Sequence, residues 1–174
     1  MLRALIAALP LACAAAPLYA APPGNPQIDY RGFRALTGEV DSYRQARLIG
    51  WDDFAAAAAD PDVLILDARS ASAFAAGHIE GAVNLPLTDF TAESLARVIG
   101  DAERPILIYC NNNFRNDVEP VRLKSLRLAL NIQTFINLVG YGYRNVRELD
   151  EVVDFEDPNV RWVADRTRSA ARPG

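Results

Sequence analysis

The sequence predicts an α/β protein with a parallel sheet flanked by helices. Residues 63–67 and 106–109 are short, continuous apolar runs without helical spacing, the pattern of strands buried on both faces. Helix formers bounded by caps and stop signals separate such runs, so strand and helix alternate along the chain. The run 106–109 ends on Cys110, and Asn111, Asn112 and Asn113 follow. In open α/β sheets the ligand crevice lies outside the carboxyl ends of the strands, which is where this thiol falls. Two readings of Cys110 stand: a nucleophile, or a small buried hydrophobe of the kind free cysteines often are.

A chain of 174 residues is long enough for one domain with its own core. The formal charge is −4 and Lys and Arg are scattered without a basic stripe, which argues against a nucleic-acid partner. Residues 1–20 read as a secretory signal peptide: a positive start at Arg3, an apolar stretch, and small residues around Ala20. The stretch is short for a bilayer span and Pro10 interrupts it, so no membrane attachment is expected after its removal. Lipidation at Cys13 is disfavoured by Pro10, which sits where an aliphatic residue is wanted. Removal takes away Arg3 and no acid, moving the charge from −4 to −5, and it takes away Cys13. Cys110 is then the only thiol, in a periplasmic or secreted setting that oxidises unused thiols.

The elements follow in order. Residues 21–45 begin Pro-rich and turn polar, and read as an N-terminal extension, an ordered lead-in with one helical turn placing Ile28, Tyr30, Phe33 and Leu36 on a domain surface. Residues 47–50 read as a first strand. A helix from Trp51 follows, with Asp52 as its N-cap and the alanine run 55–59 as its body. Asp60 and Pro61 stop it. After the strand 63–67, residues 70–76 suit a short helix ended by Gly77. Residues 82–86 read as a strand closed by Pro86, and 91–99 as a helix capped by Thr91 and ended by Gly100. Beyond the strand 106–109, Pro120 breaks any single helix through 117–129. Asn131 is placed to cap a helix that runs to Gly140 or Gly142, and 145–149 reads as the last strand. Residues 150–163 are acidic, with Val152, Val153, Phe155 and Trp162 as docking side chains. The tail from Arg166 is polar.

Two stretches carry a family resemblance. Asp67-Ala68-Arg69 is followed by Phe74, Gly77-His78-Ile79, Gly81-Ala82, Asn84 and Pro86; a second apolar strand runs into Cys110. With Gly142-Tyr143-Arg144-Asn145-Val146 near the end, this resembles the rhodanese (sulfurtransferase) superfamily over roughly residues 47–150. The resemblance implies a five-stranded parallel sheet flanked by helices, a rhodanese-like domain over 46–155 and a C-terminal tail over 156–174. It implies no cofactor. Cys110 becomes the catalytic nucleophile, taking a sulfane sulfur from a small anionic donor such as thiosulfate and handing it to a thiol or cyanide acceptor. Asn111, Asn112, Asn113, Phe114 and Arg115 become the substrate-binding loop. Asp67, Arg69 and His78 become structural: an ion pair or hydrogen bonds holding the turn after the second strand, and a packed imidazole. With one histidine in the chain, a Cys–His dyad is rejected and no metal site is expected.

The chemistry needs a thiolate, and successive backbone N–H groups with a helix N-terminus favour an anion there. The loop departs from the family pattern in its three asparagines, which tolerate left-handed backbone angles. It also departs in length. Residues 116–130 read as an insertion between Cys110 and Gly142 that either lids the cysteine or lines a pocket for a larger acceptor. The basic residue serving the loop is then Arg115, Arg122 or Lys124. Two rival functions follow: a rhodanese-like module that binds a partner or senses oxidation without turnover, and a phosphatase. The phosphatase loop is Cys-x5-Arg, whereas here the arginine comes one residue earlier and Asn116 takes its place.

Overall fold

The computed structural model describes residues 24–164, so the expected signal peptide and the end of the tail lie outside the described residues. Its strands are β1 (Leu48–Ile49), β2 (Leu64–Asp67), β3 (His78–Ile79), β4 (Val83–Asn84), β5 (Ile106–Tyr109), β6 (Val146–Leu149) and β7 (Trp162–Val163). Five of them form a parallel sheet in the order β1-β6-β5-β2-β4, while β3 and β7 pair antiparallel beside it. The helices are α1 (Tyr30–Gln45), α2 (Trp51–Ala58), α3 (Ala71–Ala76), α4 (Ala92–Ile99) and α5 (Leu130–Gly140).

Side chains alternate between the two faces of each strand. Leu64, Leu66, Ile106, Ile108 and Val146 therefore meet Val40, Leu95, Ile99, Phe135 and Leu138 of the helices on one side. Ile65, Leu107, Tyr109 and Leu149 face the other side and meet Phe54, Phe114, Val121, Val153 and Val160. Both faces are covered, which is why β2 and β5 are buried along their whole length. The order of the sheet puts β5 at its centre, so its carboxyl end, where Cys110 follows, opens between β2 and β6.

Four sequence expectations change. The single helical turn expected within 21–45 is a helix of 16 residues, α1. Leu36, Val40 and Tyr43, at helical spacing, dock it on the core, although Gly32, Thr37 and Gly38 weaken its intrinsic propensity. Gly50, rather than Asp52, stands at the N-cap of α2; Asp52 lies in the first turn, where its charge suits the positive helix end. Helix α5 starts at Leu130 with Ala129 at the cap, so Asn131 sits inside its first turn. The packed body also continues past residue 155: β7 pairs with β3, and Trp162 stacks on Phe155 at 5.3 Å. The other expected elements are present, with the strand expected over 82–86 reduced to Val83–Asn84 and β3 added before it; Ser70 caps α3, and Thr91 and Ser94 form a reciprocal capping box on α4.

Candidate active site

The wall of the site is a buried polar knot at the end of β2. Asp67 and Arg69 pair at 2.6 Å with both side chains out of solvent. Arg69 donates to the Gly77 carbonyl at 2.7 Å, and the Tyr109 hydroxyl donates to Asp67 Oδ2 at 2.6 Å. Burial first, and the Asp67 charge next, hold the Tyr109 phenol well above its ordinary range, so it stays a donor. Its oxygen in turn accepts from the Ile79 N–H at 3.2 Å. The amide of Asn84 donates to the carbonyls of Asp67 and Arg69 at 2.8 and 2.9 Å. His78 stacks on Phe74 with centroids 3.7 Å apart, and its Nδ1 lies 2.8 Å from the Phe74 carbonyl, far from any nucleophile role.

The alternation that sends Ile106 and Ile108 toward α5 carries Cys110 the same way. Backbone N–H groups of Asn131, Asn112 and Leu130 favour its ionised form and pull the thiol pKa down. Two of these belong to the first turn of α5, whose unpaired amides and dipole favour an anion. Burial opposes them: Cys110 is 2% exposed, and desolvation wins, so the thiol is raised above its ordinary pKa. The buried carboxylate of Glu148 adds to that rise, although Arg44 holds it at 2.6 and 2.5 Å.

Asn113 sets the shape of the loop. Its Oδ1 accepts from the Cys110 N–H at 2.8 Å and from Asn131 Nδ2 at 3.0 Å. Its Nδ2 donates to the carbonyls of Leu149 and Glu151 at 2.7 and 3.2 Å. Phe114 is fully buried between Tyr109, Phe155 and Trp162. Neither Asn113 nor Phe114 offers surface to a substrate; both hold the loop. Arg115 points to the opposite side, into a separate acidic cleft with Asp52, Glu151, Asp154 and Asp157.

Asn111 and Asn112 face the insertion. Asn111 Nδ2 donates to the Arg122 carbonyl at 2.7 Å, and Asn112 Nδ2 to the Lys124 carbonyl at 2.9 Å. Lys124 N–H returns a bond to Asn112 Oδ1 at 3.1 Å, and Val121 is buried in the core. The insertion is thereby stapled over the loop. Between it and α3 lies a cavity of about 550 Å³ lined by Arg69, Ala73, Asn111, Arg122, Lys124, Leu128 and Leu130 among others. Asn111, next in the chain to Cys110, and Leu130, at the start of α5, belong to its lining; Cys110 itself does not. Of the three basic candidates, Arg122 and Lys124 face this cavity and Arg115 does not.

Sequence reasoning missed Glu148, Arg44 and Thr134, and read Asn131 as a helix cap where it binds Asn113 instead. Glu148 lies on a short last strand and Arg44 in the extension, with no pattern to join them. Asn131 Oδ1 and Thr134 Oγ1 are buried without a hydrogen-bond partner among the described residues. Among the described residues no group of three or more His, Cys, Asp or Glu gathers to hold a metal ion, and no helix is long and apolar enough to cross a membrane.

The family model for the rhodanese-like domain matches residues 51–151. No curated protein matches the chain. The solution structure of the rhodanese-like domain of Alr3790 from Anabaena sp. is 19% identical with a TM-score of 0.50, covering 74% of this chain and 87% of that one. A crystal structure of BH2092 from Bacillus halodurans is 16% identical with a TM-score of 0.43, covering 68% and 73%. EanB, solved as a persulfide with ergothioneine, is 25% identical with a TM-score of 0.43, covering 59% of this chain and 24% of its own. With a family match across more than half of its residues, and the parallel sheet of the Anabaena domain beneath it, the chain belongs to the rhodanese-like domain family.

Proposed function

We propose that this chain is a sulfurtransferase that carries sulfur as a persulfide on Cys110. The thiolate attacks the outer sulfur of a donor such as thiosulfate. A sulfur–sulfur bond forms at Cys110, the donor's own sulfur–sulfur bond breaks, and sulfite leaves with the electron pair. A thiol or cyanide then takes the outer sulfur and returns Cys110 to its thiolate. The observation that carries the reading is the place of Cys110, at the carboxyl end of the central strand and tied through Asn113 to the first turn of α5, whose backbone N–H groups at Leu130 and Asn131 favour its thiolate. They stabilise the attacking thiolate, and the same donors suit the anionic outer sulfur of a persulfide. Arg122 and Lys124 supply the positive potential that draws an anionic donor into the cavity above.

The test is mass spectrometry after incubation with thiosulfate. A gain of one sulfur atom on Cys110, absent in Cys110→Ala, is expected; transfer to cyanide that persists in Cys110→Ala would remove this residue from the mechanism. A second reading, a module that binds or senses oxidation without turnover, is favoured by the burial of the thiol and its raised pKa. It predicts no persulfide under the same conditions. We further propose export to the periplasm or beyond, supported by the character of residues 1–20 and the single remaining thiol; fractionation of cells expressing the full chain tests it.

A further inference from the structure

Helix α1 lies before the residues that the family model matches, yet it reaches the back of the site. Ile108 and Glu148 are partners in the parallel register of β5 and β6. Side chains alternate along a strand, and the backbone stays extended at Cys110, so Glu148 shares the face of Val146, Ile108 and Cys110. Apolar side chains of α1 and α5 close that face. Glu148 is 4% exposed, and a buried carboxylate needs a partner. Arg44, in the last turn of α1, supplies it: Nε and Nη2 donate to the two carboxylate oxygens at 2.6 and 2.5 Å, a two-point fork. Packing fixes the fork, because Leu36, Val40 and Tyr43 dock the helix on the core and the Tyr43 hydroxyl donates to the Arg144 carbonyl.

On this face the charge set against the thiol is Glu148, whose carboxylate disfavours the thiolate. Helix α5 carries no ionisable side chain, and Tyr143 follows it in the same core. Asp67, Arg69 and Tyr109 form their knot on the opposite face. Glu119, Arg122 and Lys124 line a cavity that does not include Cys110. Around Arg44 stand Asp41 and Asp150, which favour its cation, while Arg47 and Arg144 lie over the Tyr43 ring. Resting on the persulfide reading of Cys110, we propose that Arg44 is a positioning residue of the active site: its fork neutralises the Glu148 carboxylate, which would otherwise oppose the thiolate that attacks the sulfur donor. Arg44 acts through Glu148 and not on the reacting atoms. The working site therefore extends beyond the matched domain, and α1 is part of it.

The experiment titrates the Cys110 thiolate in the full chain by its ultraviolet absorbance, with Cys110→Ala as the blank, and follows persulfide formation from thiosulfate over the same pH range. Arg44→Met keeps an apolar stem and removes the charge. The thiol midpoint is expected to rise by about one pH unit, a roughly tenfold loss of thiolate and of persulfide rate at neutral pH. Glu148→Gln moves the midpoint down, and the double variant lies near the parent chain. Arg44→Lys keeps the charge without the fork and recovers part of the shift. A merely structural pair changes stability and leaves the midpoint where it is. An unmoved midpoint in Arg44→Met overturns the proposal, as does a rise in Glu148→Gln. Where Arg44→Met fails to fold, Glu148→Gln, close in shape to the parent, decides alone, and an unmoved midpoint there overturns the proposal. A persulfide in the parent chain with unmoved midpoints in the variants removes the role of Arg44 and leaves that of Cys110 standing. No persulfide in the parent chain removes both.

Discussion

Replacing Asn113 by alanine removes four hydrogen bonds that shape the loop after Cys110. Two buried donors, the Cys110 N–H and the Asn131 amide, lose their acceptor, and an orphaned buried donor costs about 1–3 kcal/mol. The carbonyls of Leu149 and Glu151 lose a donor each, at about 1 kcal/mol or less apiece. The expected loss is on the order of 4 kcal/mol, a large share of the roughly 5–15 kcal/mol that holds a domain together. Urea unfolding followed by the fluorescence of Trp51 and Trp162 measures it directly. Asn113→Asp sharpens the test, because it keeps the acceptor and turns the donor into a second acceptor facing two carbonyls. The new carboxylate is better tolerated when protonated, so its folded pKa lies above the unfolded value of about 3.9. Stability relative to the parent chain is then highest at acid pH and falls as pH rises through that folded value. A loss below about 1 kcal/mol for Asn113→Ala, or a pH-independent difference for Asn113→Asp, would refute this account of the loop.

Arg69→Met leaves the Asp67 carboxylate buried without its partner, and a loss of about 3–5 kcal/mol is expected in the same unfolding assay, with Asp67→Asn in the same chain recovering part of it. Gly77→Ala places a Cβ into the Trp162 indole, so about 1–3 kcal/mol should be lost, with a changed Trp162 emission marking displacement of β7. Because burial raises the Cys110 thiol, the thiolate is a minor species at neutral pH. The rate of persulfide formation should therefore climb with pH through and beyond the ordinary thiol range; a rate already flat at neutral pH would contradict the raised value.

What the sequence made legible was whatever depends on neighbours along the chain. The strands at 64–67 and 106–109 are continuous apolar runs, and Ser70, Thr91 and Gly100 mark helix ends by local chemistry alone. Asp67 and Arg69 are two residues apart, so their pairing was readable too. What escaped were meetings across long separations. Helix α1 rests on contacts made through Leu36, Val40 and Tyr43 rather than on propensity, and β7 forms because His78 and Ile79 offer an edge far earlier in the chain. Leu130 and Asn131 come close to Cys110 from about twenty residues further along because α5 packs on the sheet through Phe135 and Leu138. No spacing rule reports that Arg115 turns away while Arg122 and Lys124 turn in.

The cradle of the thiol is assembled from two stretches, one immediately after it and one at the start of α5. The asparagine staples hold the intervening segment at its middle, at Arg122 and Lys124, and leave the stretches on either side untied to Asn111 and Asn112. A family of this design has a position where chain can be added or exchanged while the reacting centre stays put.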